Sequence, residues 1–163
     1  MSEHRRCVLL FSRSPREEGL AKRLSDLTPL FDLSRRRVDR AVASLPGVDL
    51  REPVQRGGTF GERLLNAFSD TRALGYREIV AVPTDAPDLG PSPDGGVYLL
   101  GLAAQADLER LLLGVRWRTA LVTRDLIANE PSACLLESAL PDIDRRADLA
   151  TLKDRNSVSV HAH

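Results

Sequence analysis

The sequence predicts an α/β protein, a three-layer α/β/α sandwich, and three observations carry that prediction. Ile79-Val80-Ala81-Val82 is a short, apolar, largely β-branched run, the composition of a strand buried on both faces of a parallel sheet. Apolar runs alternate with helix-period segments that open on capping boxes, Ser14 with Glu17 and Thr59 with Glu62, so strand, capped helix and strand follow one another as in right-handed crossovers. Finally, the buried run stops at Pro83 and is followed by Thr84 and Asp85, which puts a carboxylate just past the carboxyl end of a strand, where open α/β sheets form their ligand crevice.

The bulk numbers limit the function classes. A chain of 163 residues with 42% hydrophobic residues fits a single domain, residues 1–155, with a polar, patternless tail over 156–163 that carries His161 and His163. Lys plus Arg number 23 and Asp plus Glu number 23, so no net field draws the protein to nucleic acid or to an anionic membrane. The apolar run after Arg5-Arg6 is too short for a signal peptide, and no segment approaches the ~20 apolar residues of a membrane span, so a cytoplasmic protein is expected. Cys7 and Cys134 both lie in apolar runs and read as buried reduced thiols.

In chain order, Cys7–Phe11 is the first strand. It runs into a helix whose start is marked by Ser14, Pro15 and Glu17. A strand feeding straight into a capped helix leaves backbone N–H groups at the sheet's carboxyl end, a favourable place for an anion. Lys22 and Arg23, on that helix, either add charge to a phosphate site or form its solvated face. Helical periodicity resumes over Asp32–Leu45, where Arg35, Arg36, Arg37 and Arg40 read most simply as a solvated face rather than a binding patch, and Pro46-Gly47 ends it. Val48–Val54 is a short edge strand limited by Pro53. After the loop Gln55–Gly58, the second capped helix runs to about Leu74, with Gly75 placed for a left-handed cap, and delivers the chain to Ile79–Val82.

Past Asp85 come Asp88 and Asp94-Gly95-Gly96. These carboxylates and the glycine pair either gather around a divalent cation and a nucleotide's phosphates or are turn residues. Val97–Leu102 reads as a strand, Asp107–Leu113 as a short helix and Arg118–Asn129 as another. Trp117 between them either stacks on a base or fills a gap under a loop. Ala133–Leu140 reads as a final strand, ended by Pro141. Asp142 and Asp144 then form a second pair of carboxylates at a strand end, able to meet Asp85 across a crevice, with Asp144 as N-cap of a helix over Arg145–Lys153.

These landmarks, in this order, resemble a bacterial family of unknown function related to GT-A-type nucleotide-diphospho-sugar transferases and small nucleotidyltransferases. The family's A-R-x-P and its glycine followed by K-T-R-L correspond to Ser12-Arg13-Ser14-Pro15 and to Gly19 with Lys22-Arg23-Leu24, the threonine being absent. Its G-D-L-G-E-R appears as Gly58–Arg63, its G-T-D-C-P-x-L as Pro83–Leu89, and its G-P-x-x-D-G-G-Y-Y-L-I-G-L as Gly90–Leu102. W-S-T-P is weakly matched by Trp117–Ala120, and D-I-D-T-P-x-D-L by Asp142-Ile143-Asp144 and Asp148-Leu149, with Arg145-Arg146 in place of T-P.

The resemblance implies a Rossmann-like GT-A fold. It also implies Mg²⁺ or Mn²⁺ held by Asp85 with Asp142 or Asp144, and nucleotide phosphates facing Arg13 and Lys22, with Arg23, Gly95 and Gly96 beside them. The activity implied is metal-assisted glycosyl or nucleotidyl transfer from a nucleotide or nucleotide-sugar. No side chain stands out as general base. The family places a helix and a strand between T-D-C-P and G-P-x-x-D-G-G, whereas here Leu89 abuts Gly90-Pro91, so one crossover is missing. That loss would uncover apolar surface that a homodimer could cover. Together with the lost threonine and T-P, it leaves open a non-catalytic nucleotide- or protein-binding module of the same fold.

Overall fold

The computed structural model describes residues 5–83, 97 and 99–135. Among the described residues, four strands, β1 (Arg5–Leu10), β2 (Val48–Arg51), β3 (Tyr76–Val82) and β4 (Leu100–Ala103), form one sheet in the order β2-β1-β3-β4. β1 pairs in parallel with both neighbours, Cys7 facing Asp49 on one side and Ile79 on the other, while β4 runs antiparallel to β3 with Val80 opposite Gly101. The helices are α1 (Pro15–Ala21), α2 (Thr28–Ala43), α3 (Phe60–Ala73), α4 (Leu108–Leu112) and α5 (Val122–Asn129), with a 3₁₀ turn at Ser25–Leu27 before α2.

Because successive strand residues point to opposite faces, the central strands build two cores. Cys7, Leu9, Ile79 and Ala81 face Leu64, Ala67 and Phe68 of α3, with α4 and α5 contributing Leu111, Leu112, Val122 and Leu126. Val8, Leu10, Val80 and Val82 face Val38 and Val42 of α2 on the other side. The three layers expected from the sequence follow. Moving from β1 to β2 and then back across β1 to β3 reverses direction along the sheet, and right-handed crossovers then put α2 and α3 on opposite faces. α1 packs against α2, and Leu24 with Phe31 forms a small satellite core there.

Local chemistry explains the boundaries. Gly75 has φ +90°, and its N–H donates to the Arg72 carbonyl at 2.9 Å, closing α3 with the left-handed cap its sequence called for. β2 is an edge strand among the described residues and ends at Arg51, short of Pro53. At the sheet's amino end, Asp49 accepts from the Tyr76 hydroxyl at 2.5 Å and from Arg5 at 3.1 Å, which ties β1, β2 and β3 together and holds the Asp49 carboxyl below its ordinary range.

Several boundaries differ from the sequence reading. α2 begins at Thr28 rather than Asp32, with Pro29 in its first turn and no side-chain cap to announce it. β4 covers Leu100–Ala103 rather than Val97–Leu102. α5 starts at Val122 rather than Arg118, because Arg118 adopts a left-handed φ of +64° that interrupts helical geometry. Of the strand expected over Ala133–Leu140, residues 133–135 are described, and they are exposed and in no strand. Cys134 is accordingly exposed, correcting its expected burial, whereas Cys7 is buried and its thiol is pushed up to about 11 by desolvation. The span over 84–96, where the crossover is missing by sequence, the helix over Arg145–Lys153 and the tail over 156–163 lie outside the described residues. Among those described, no helix is long and apolar enough to cross a membrane.

The turn before α5 is fastened by one carboxylate. Asp125 accepts from the Arg116 backbone N–H and Nε at 2.9 Å each and from Nη2 at 2.5 Å, and these bonds lower its pKa from 3.8 to about 2. A carboxyl depressed in the folded state stabilises the fold above its ordinary pKa and loses that contribution as pH falls from 3.8 to about 2. Asp125→Asn is therefore expected to flatten the pH dependence of the urea midpoint across that window. An unchanged slope would show that the pair contributes nothing to acid stability.

Candidate functional site

The strand order reverses between β1 and β3, and crevices in open α/β sheets form at the carboxyl ends of the strands at such a point. Here those two ends are joined by the Phe11 N–H, which donates to the Val82 carbonyl at 2.8 Å. The β2–α3 loop reaches the same place, where Gln55 Nε2 donates to the Ser12 carbonyl at 3.1 Å. Ser12–Ser14, the Gln55–Thr59 loop and the chain leaving β3 therefore border one region.

The first wall is α1. Its capping box forms as the sequence predicts: the Glu17 N–H donates to Ser14 Oγ at 3.3 Å, while Glu17 Oε2 accepts from the Ser14 N–H at 3.0 Å and from Ser14 Oγ at 2.7 Å. The serine hydroxyl and N–H hold the Glu17 carboxyl below its ordinary pKa. The helix start expected to offer free donors to an anion has thus used most of them. Pro15 has no N–H, the Glu18 N–H donates to the Ser14 carbonyl, and only the Arg16 N–H lacks a partner among the described residues.

Positive charge comes instead from side chains. Glu18 is 8% exposed. Its Oε2 lies 3.8 Å from Arg13 Nη1 and its Oε1 lies 3.8 Å from Lys22 Nζ, so two of the three cations read from the sequence meet on one buried carboxylate. Arg23 is placed differently. α1 ends at Ala21 with Lys22 as its cap, and Arg23 sits past the helix with φ +57°. The Arg23 N–H donates to Leu20 and the Leu24 N–H to Gly19, at 3.2 and 2.7 Å, which is a Schellman turn with an arginine where glycine is usual. The turn folds the chain back over Gly19, where a Cβ would stand 3.0 Å from Thr28 Oγ1 and 3.2 Å from the Leu24 carbonyl oxygen. Arg23 is exposed there, away from the Glu18 pair.

The second wall is the start of α3. Glu62 Oε2 accepts from the Gly58 and Thr59 N–H groups at 2.8 and 3.0 Å, and these bonds depress its pKa. Gly57 makes the tight approach possible: at φ +137°, a Cβ on it would lie 2.8 Å from Glu62 Cβ and 2.9 Å from the Arg63 nitrogen. Behind the wall stands an aromatic row. Phe11 and Phe60 meet edge to face at 5.6 Å, and Phe60 and Trp117 lie 5.1 Å apart. Trp117 Nε1 donates to the Leu112 carbonyl at 3.0 Å, so the tryptophan fills the gap between the α3 start and the α4–α5 connection rather than offering its polar edge to a base.

The arginines of α2 behave as a solvated face: Arg36 pairs with Asp32 at 2.7 Å, Arg35 pairs with Glu52, and Arg37 and Arg40 are exposed. Asp85, Asp88, Asp94, Gly95, Gly96, Asp142 and Asp144 lie outside the described residues. Among the described residues, no group of three His, Cys, Asp or Glu side chains could hold a metal ion. Sequence reasoning missed Glu18. The signal was present, a glutamate four residues before Lys22 on one helix face, but its burial depends on the Gly19 turn, which spacing does not show.

No protein-family model matches the chain, and no curated protein matches it. A solved structure does: a candidate nucleotide-diphospho-sugar transferase from Desulfovibrio desulfuricans G20 superposes with a TM-score of 0.75 at 22% identity, over 97% of this chain and 90% of that one. The likeness is one of fold. The chain shares that structure's mixed α/β architecture, consistent with the GT-A-like fold that its ordered motifs resemble.

Proposed function

We propose that this chain binds a nucleotide or nucleotide-sugar at the carboxyl ends of β1 and β3 and transfers a glycosyl or nucleotidyl group from it with the help of Mg²⁺ or Mn²⁺. The observation that carries the proposal is the meeting of Arg13 and Lys22 on Glu18 beside the strand-order reversal, in a fold shared with a candidate nucleotide-diphospho-sugar transferase. Arg13 and Lys22 bind the diphosphate and orient it, and Gly95 and Gly96 let the backbone approach it.

Asp85 follows Val82 by three residues in the sequence, and with Asp142 and Asp144 it makes up a set of hard oxygen donors suited to either cation. When bound, the ion neutralises charge on the leaving diphosphate. The protein's own part is positioning and electrostatics, since no described side chain is placed as a general base.

One observation favours a second reading, a non-catalytic module of the same fold. Glu17 and Glu62 already occupy the two helix starts that border the site, which leaves little backbone charge for a transition state.

Thermal unfolding with uridine or guanosine diphosphate tests the binding. A native-state ligand at 100 times its Kd stabilises by about 2.7 kcal/mol, which for a chain of this size is a rise in Tm of roughly 5–10 °C. The rise is expected to be larger with Mg²⁺ or Mn²⁺, and Asp85→Asn is expected to abolish the metal-dependent part while leaving the Tm without ligand unchanged. No rise at millimolar nucleotide with either ion would overturn the binding reading. Binding without turnover across nucleotide-sugars would leave the second reading in place of transfer.

A further inference from the structure

We infer that Glu18 is a positioning residue, which sets the spacing and direction of Arg13 and Lys22 so that the two together grip a diphosphate. The inference rests on the nucleotide-binding reading above.

A carboxylate as buried as Glu18 is costly to keep ionised unless cations compensate it. Arg13 and Lys22 do so, one on each carboxylate oxygen, each at 3.8 Å. That separation is an ion pair rather than a charge-assisted hydrogen bond, which is nearer 2.8 Å. Glu18 therefore holds the Arg13 guanidinium by field without consuming its donors, and Arg13 makes no hydrogen bond among the described residues.

The two cations differ in how they are held. The Lys22 side chain is 13% exposed and sits at the cap of α1, which the turn over Gly19 fixes in place. Arg13 is 51% exposed on the loop that leaves β1. Without the carboxylate between them, two like charges on long flexible stems would separate, and each would have to be ordered again when an anion bound. With it, they are gathered in advance, and pre-organised groups lose less freedom on binding.

This role predicts a sign opposite to that of charge alone. Removing a negative charge beside a phosphate site should tighten anion binding if Coulomb attraction were the whole effect. A positioning role requires Glu18→Gln to weaken it.

The experiment is calorimetric titration of the full chain with uridine diphosphate and guanosine diphosphate at fixed salt and Mg²⁺. Wild type is compared with Glu18→Gln, Arg13→Gln, Lys22→Gln and the Glu18→Gln/Arg13→Gln pair. We expect Glu18→Gln to raise Kd about tenfold, and the double variant to lose less than the sum of the two single losses, since groups acting through one another are not additive. Glu18→Gln binding as tightly as wild type, or more tightly, overturns the inference, and so do additive losses in the pair.

Should Glu18→Gln fail to fold, Glu18→Asp carries the test. It keeps the charge but draws it back by one methylene, and we expect its Kd to rise about threefold or more, whereas an unchanged Kd overturns the role. Failure of wild type to bind removes the nucleotide reading and this inference together. Weakened binding by Arg13→Gln and Lys22→Gln with Glu18→Gln unaffected removes this inference alone.

Discussion

Phe68→Ala is expected to cost about 3–5 kcal/mol, the range for deleting a fully buried phenyl ring. Phe68 has no exposed surface and belongs to the larger core, where α3 seals the sheet face made by Cys7, Leu9, Ile79 and Ala81. Nothing polar at the site lies in its way, so the loss is one of packing and cavity alone. Against the roughly 5–15 kcal/mol that holds a typical domain folded, such a change leaves the protein marginal. Urea unfolding should show a much lower midpoint with an unchanged slope. A loss below about 1 kcal/mol would mean that this face of the sheet closes up around the missing ring, contrary to the usual behaviour of close-packed interiors.

Gly61→Val is expected to be nearly as damaging. Even a Cβ at position 61 would lie 2.7 Å from Trp117 Nε1 and 3.0 Å from the Leu112 carbonyl oxygen, and Gly61 is buried. The indole must therefore leave its place, and the bond from Nε1 to Leu112 goes with it. Overpacking costs about 1–3 kcal/mol and the lost hydrogen bond about 1 kcal/mol. Trp117 is the only tryptophan in the chain, so its fluorescence reports the displacement directly, and a red-shifted emission is expected in the variant. The cause can be isolated with Gly61→Val/Trp117→Ala: relative to Trp117→Ala, adding Gly61→Val should cost much less than it does in wild type, because only the approach to the Leu112 carbonyl oxygen remains. Unchanged emission and Tm in Gly61→Val would show that the tryptophan is not locked against α3.

The parts of the fold legible in the sequence were those fixed by local chemistry. Ser14 with Glu17 and Thr59 with Glu62 cap the helices they announce, Gly75 closes α3, and Pro53 stands just past an edge strand. The buried alternation of β1 and β3 also follows directly from their apolar runs. What escaped was set by contacts distant in sequence or by backbone geometry without a residue signature. α2 starts four residues early because nothing at Leu27 caps it through a side chain. α5 starts four residues late because Arg118, a residue with no preference for positive φ, takes one. Cys134 belongs to an apolar run that the fold leaves exposed.

The candidate site divides in the same way. Arg13 and Lys22 could be read as cations near a strand end, but their meeting point could not, because a buried glutamate is a product of tertiary structure. Asp85, Asp142 and Asp144 lie outside the described residues, and the divalent-metal proposal for them rests on resemblance and donor chemistry.

The position of β1 has a consequence for how the chain assembles during synthesis. It precedes the other three described strands yet lies between two of them, and its contact with β3 spans the distance from Arg5 to Tyr76, 71 residues later. Pairings that distant close slowly. α1 and α2 can meet early through Leu24 and Phe31, whereas β1 leaves the ribosome as an apolar strand with one edge open until β2 follows and the other until β3 does. Arg5 and Arg6 at its head are charges flanking a sticky segment, the arrangement that discourages a nascent strand from pairing with the wrong neighbour.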